Sequence, residues 1–193
     1  MTEPLTQKND DVLMTEVRSG ATERLAVLFE RHHRMLFRFF LHLCGSRILS
    51  EDLTQEVFFR MLKFRETFQP GARFLPWMYQ IARNVHVDHL RKRSAEMPLW
   101  DEKAGREIDL ADPAVSAETS LLQAGDMVIL RKAFDRLPAD RRELLVLARY
   151  QQLRYEEIAE ILQCDAGAVK TRVFRAMRQL GDLFFRLSGR RAS

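Results

Sequence analysis

The chain has 193 residues, 46% apolar and 30% charged, with a formal net charge of +4, enough for one packed domain or two small ones and too apolar for wholesale disorder. Its two cysteines, Cys44 and Cys164, stand far apart; that excludes a disulfide framework or a zinc spacing and fits a reducing cytoplasm. The opening MTEPLTQKNDD is polar, so no signal peptide is visible, and no run of about 18 apolar residues is present to enter a membrane.

Glycine is sparse and β-branched runs are almost absent, so the chain reads as all-α. A first helix is expected over 11–18, stopped by Ser19-Gly20, and a second over 22–44, stopped by Gly45. Ser50 is the expected N-cap of a third helix over 51–65, with Glu51 and Asp52 in the first turn, where the helix dipole favours acids. TFQPGARF then breaks the pattern, and a fourth helix follows over 75–93 with Pro76 in its first turn. In that helix Leu75, Met78, Ala82, Val85 and His89 form the core stripe, and Trp77, Ile81, Asn84, Asp88 and Arg91 the adjacent one.

From Ser94 to Gly125 the composition changes to seven acids against two bases, with Pro98 and Pro113 and weak periodicity. This reads as a flexible acidic linker, dividing the chain into 1–93, 94–125 and 126–193. Further helices are expected over 126–137, 139–149, 155–162 and 166–187.

The last two of these have the pattern of a helix-turn-helix, whose second helix enters the DNA major groove. Val169, Val173, Met177 and Leu180 form the expected inner stripe, which turns Lys170, Thr171, Phe174, Arg175 and Arg178 outward. Arg175 suits a guanine edge, Phe174 a thymine methyl, and Lys170 and Arg178 phosphates or bases. Residues 166–193 hold seven bases and one acid, a charge cluster suited to phosphate binding. A free-standing regulator with residues 1–93 as a sensing or dimerisation domain would show the same second half, so the first half must decide.

There, SEDLTQEVFFRML and FLPWMYQIARNVHVDHLRKR stand out. With LPADRRELLVLARYQQLRYEEIAEIL and AVKTRVFRAMRQL, in this order around an acidic linker, they resemble the extracytoplasmic-function (ECF) sigma factors of bacterial RNA polymerase over about residues 11–187. The resemblance implies two small helical domains, sigma domain 2 and sigma domain 4, acting without catalysis in the cytoplasm. Their partners would be the clamp and flap of core RNA polymerase, promoter DNA as duplex and as melted non-template strand, and an anti-sigma factor. The linker would thread the polymerase's active-site and RNA-exit channels, or serve as an idle spacer.

Residue by residue, the resemblance places clamp binding on Asp52, Gln55 and Glu56, which share one side of the third helix. It places capture of a flipped base of the minus-ten element on the fourth helix and the loop 68–74: Phe68, Arg73, Phe74, Trp77, Asn84, Asp88 and Arg91, with further positive charge from Arg83, Lys92 and Arg93. Phe74 and Trp77 suit plain core packing as well as base stacking. Lys170, Thr171, Phe174, Arg175 and Arg178 would read the minus-thirty-five element. One departure is Gln163, at a turn position often held by glycine.

No P-loop, nucleophile elbow or dinucleotide fingerprint is present, so no catalytic residue and no cofactor is expected. His32 and His42 are ten residues apart and fall on different helix faces, so no metal site is expected either, and a sensing role for His32, His33, His42 or Cys44 stays open.

Overall fold

The computed structural model describes residues 8–96 and 121–189, and among them every regular element is a helix. The chain divides into two compact units, the first built on α1 to α4 and the second on α5 to α8. The acidic linker lies, from residue 97 to 120, outside the described residues.

In the first unit α1 spans Asp10–Arg18, capped by the Asn9 side chain, which accepts from the Asp11 backbone N–H. Its Leu13, Met14 and Val17 are buried. A single 3-10 turn, Thr22–Arg24, leads into α2, Leu25–Cys44, so the expected second helix starts with a tighter turn. Gly45 ends it in the left-handed conformation, at φ 69°. Helix α3 then runs Arg47–Lys63.

The expected cap of α3 is corrected here. Ser46, extended and accepting from the Leu49 N–H at 3.4 Å, is the cap, and the helix starts one turn before Glu51. Ser50 lies inside the helix and is fully buried. It tolerates burial because its hydroxyl donates to the Ser46 carbonyl at 2.6 Å, as the buried Thr54 hydroxyl does to Ser50 at 2.7 Å.

Another 3-10 turn, Arg65–Thr67, opens the loop to α4, Phe74–Glu96. The core is the space between α2, α3 and α4: Phe39 and Phe40, Val57 and Met61, and Met78, Tyr79 and Ala82 are fully buried. Each large apolar side chain so buried contributes about 1.5–3 kcal/mol. Phe39 meets Tyr79 edge-on at 5.3 Å, and burial pushes the Tyr79 phenol above its usual range.

In the second unit α5 spans Leu121–Asp135 and α6 Ala139–Leu145, starting at Pro138, whose carbonyl takes the N–H groups of Arg141 and Arg142. The expected helix 139–149 is present but changes pitch: Val146–Tyr150 form a π turn. Then come α7, Tyr155–Leu162, and α8, Ala166–Ser188, which packs on α5 and α6.

Candidate functional site

The residues singled out in the sequence gather on three surfaces. The first is the outer face of α3. Asp52 and Gln55 are exposed, and Glu56 is half-buried because it is bonded to Arg60 at 2.7 Å. Sequence reading missed two neighbours on this face: Ile48 is 75% exposed and Phe59 59% exposed. Positions 48, 52, 55 and 59 form one stripe at four-, three- and four-residue spacing, so the signal was present in the period. Large apolar side chains flanking an acid and an amide make a surface suited to a protein partner. Gln55 and Glu51 also border an open groove against Phe29, His33 and Phe37 of α2.

The second surface is the loop before α4 and the helix itself. Gln69 to Ala72 form a turn in which Ala72 donates to the Gln69 carbonyl at 3.0 Å, with Pro70 and Gly71 central and Gly71 at φ 81°. That is the pattern of a type II turn, where only a glycine takes the third position without strain. Phe68 and Phe74, expected to offer apolar faces to bases, are 0% and 1% exposed. Their rings are the footings of the loop: Phe68 meets Trp77 edge-on at 5.2 Å, and Phe74 lies 5.0 Å from His32. Trp77 is only partly buried, and its Nε1–H donates to Thr67 at 3.3 Å. Asn84 and Arg91 are exposed farther along α4.

Asp88 has a partner that the sequence did not announce. It accepts from Arg60 of α3 at 2.6 Å, so one guanidinium joins Glu56 and Asp88. Partial burial works to lower the Arg60 pKa, but the two carboxylates overcome it and raise it. In return, the Arg60 hydrogen bond holds Asp88 below its ordinary value. The assigned polymerase face and the assigned minus-ten face are thereby bridged by one side chain.

The third surface is the helix-turn-helix, α7 and α8. Gln163 takes the left-handed conformation, φ 51°, that the turn demands, and Cys164 donates back to the Ala159 carbonyl at 2.9 Å. Asp165 caps α8, accepting from the Ala168 N–H at 2.7 Å. Lys170, Thr171, Phe174, Arg175 and Arg178 are all exposed, Phe174 by 68%. The Thr171 hydroxyl donates to the Gly167 carbonyl of its own helix at 3.1 Å. The inner stripe is corrected at one position: Val169, Val173 and Ala176 are buried, whereas Met177 is 40% exposed and Leu180 only partly covered. Met177 therefore stands at the edge of the outward face, one turn from Phe174.

The comparisons agree with this geometry. The family models for sigma-70 region 2 and sigma-70 region 4 match residues 28–96 and 127–180. The chain is 34% identical over 152 residues to the ECF RNA polymerase sigma factor EcfG of Rhodopseudomonas palustris, covering 76% of this chain and 77% of the relative. It is 32% identical over 173 residues to the RNA polymerase sigma factor CarQ of Myxococcus xanthus, covering 88% and 94%. The chain is an ECF sigma factor of the sigma-70 family. Among solved structures, the sigma factor RpoE of Bartonella quintana, in complex with the anti-sigma factor NepR, superposes with a TM-score of 0.62 at 27% identity, covering 80% of this chain and 92% of that one. In this sigma factor the region 2 match runs from α2 to the end of α4, and α1 lies outside it. The region 4 match spans the helix-turn-helix to Leu180. No helix of the described residues is long and apolar enough to cross a membrane, and they hold no cluster of three or more His, Cys, Asp or Glu side chains placed for a metal.

Proposed function

We propose that this sigma factor divides its work among the three surfaces. The α3 stripe docks on the polymerase clamp, with Asp52, Gln55 and Glu56 facing basic groups and Ile48 and Phe59 as apolar anchors. The loop and α4 hold the melted minus-ten strand: Trp77 offers a ring edge, Asn84 reads a base, and Arg73 and Arg91 take phosphates, while Phe68 and Phe74 support the loop from below. Asp88 acts there through Arg60. Helix α8 reads the minus-thirty-five duplex with Lys170, Thr171, Phe174, Arg175 and Arg178. The protein works by binding and positioning, in the cytoplasm where core polymerase is found. The acidic linker follows the polymerase's RNA path, and an anti-sigma factor is a further partner, as the anti-sigma factor NepR is of the Bartonella quintana sigma factor.

The region 2 match ahead of the region 4 match carries this reading over a free-standing regulator, and the exposed Ile48 and Phe59 around Asp52 and Gln55 give it a face for a protein partner. The test is run-off transcription with purified core polymerase on a genomic fragment library, with and without the chain. Initiation that depends on the chain is expected. Duplex binding by the chain alone, with no binding to core, would favour the free-standing regulator.

A further inference from the structure

Helix α1 reaches the minus-ten loop from outside the region 2 match. Asp11 Oδ1 accepts the backbone N–H of Phe74 at 2.7 Å, across 63 residues of chain. Phe74 is the first residue of α4 and the last footing of the loop, and its N–H is one of the donors a helix start leaves unsatisfied. A carboxylate there meets both the open donor and the positive end of the helix dipole. The neighbouring Asp10 holds α1 in place: it accepts from Arg31 and is bonded to His32 Nε2 at 2.7 Å. The ring of that same His32 packs against Phe74. Two consecutive aspartates thus grip the two sides of one aromatic footing.

The other end of the loop is held by Phe68 on Trp77, and the tip is set by the Pro70-Gly71 turn. The Phe74 end is held by a carboxylate from α1, a helix that also lies beside the Arg65–Thr67 turn at the other end. We propose that Asp11 is a positioning residue for strand capture: it fixes the start of α4, and so presets the loop in the shape that receives the unstacked base. This rests on the assignment of the loop and α4 to the melted strand. A preset loop binds more tightly because less ordering is left for the moment of capture.

The experiment uses the full chain bound to core polymerase and a fork-junction DNA bearing a single-stranded minus-ten segment, selected with the parent protein. Asp11→Ala, Asp11→Asn and Asn84→Ala are compared for fork binding, core binding and hydrogen exchange at the Phe74 amide. Loss of a charge-assisted bond predicts roughly ten- to hundredfold weaker fork binding for Asp11→Ala. Faster exchange at Phe74 and unchanged core affinity should accompany it. Asp11→Asn keeps an acceptor oxygen and should recover most of the binding. Fork binding at the parent level in Asp11→Ala, with Asn84→Ala impaired, would overturn the inference and leave the strand assignment standing. Parent-level binding in Asn84→Ala would overturn the assignment and the inference with it. Equal loss of core and fork binding in Asp11→Ala, with no recovery by Asp11→Asn, would reduce Asp11 to a folding role and also overturn it.

Discussion

Gln163 adopts φ 51°, a conformation that costs a side-chain-bearing residue about 1–2 kcal/mol and glycine almost nothing. The sequence showed the residue but not the dihedral, because a three-residue turn can be closed in more than one way. Gln163→Gly should raise the stability of the second unit by about 0.5–1 kcal/mol, the relief being partly offset by glycine's extra freedom when unfolded. Chemical denaturation followed by circular dichroism would show it, and a loss of stability would contradict the account. Phe174 was legible as an outward residue from phase alone, whereas Ala176 was not: a methyl suffices where α8 lies against α5 and α6, and a stripe drawn through larger apolar residues chose Met177. Arg175→Ala should weaken binding to the duplex element by about 1–3 kcal/mol, the worth of one bidentate base contact. Core binding should be preserved, which pull-down with core polymerase would check; equal loss of core binding would make Arg175 structural.

The elements were read well in kind and less well at their ends. Helix α3 starts at Ser46 because its cap need only accept one early N–H, and Ser50, the better-looking candidate, has its hydroxyl turned back onto the helix. Contacts between elements were invisible for a different reason: Arg60 joins Glu56 on its own helix to Asp88, 28 residues on, and no local period encodes that. Removing it, as Arg60→Ala, should cost about 0.5–1 kcal/mol, since all three groups are partly solvated, and the effect should shrink in 1 M salt. Denaturation at two salt concentrations would test this, and an effect independent of salt would contradict it.

The docking of α1 carries a pH signature. Burial opposes ionisation of Asp10, but hydrogen bonds from His32 and Arg31 prevail and hold it below its ordinary 3.8. The folded form therefore binds that proton less readily than the unfolded chain. The stabilisation is present above the ordinary value and is lost as pH falls through the lowered one. Acid denaturation should show this loss in the parent and a flatter profile in Asp10→Asn; identical profiles would contradict the assignment.

At the scale of the whole molecule, the order of segments was the informative signal. A helix-turn-helix by itself fits many regulators, and the SEDLTQEVFFRML and ARNVHVDHLRKR segments ahead of an acidic stretch narrowed it to the ECF sigma factors, which the relatives bear out. What stayed hidden was which aromatic residues face solvent. Phe59 and Phe68 look alike in the sequence, yet one is exposed on α3 and the other is sealed beneath the loop. Burial of that kind is decided by which helices pack together, and it is why Phe68 and Phe74 are proposed as loop supports.

In the proposed division one chain holds two separate DNA grips, α4 with its loop for the opened strand and α8 for the duplex. The direct measurement is equilibrium binding of polymerase holoenzyme to two probes from a promoter selected by the parent chain. One probe is a fork with the minus-ten strand exposed and no upstream element; the other is a duplex carrying the upstream element alone. Asn84→Ala should weaken binding to the fork and leave the duplex unaffected, and Arg175→Ala should do the reverse. Loss by either variant on both probes equally, or by neither on its own probe, would contradict the division.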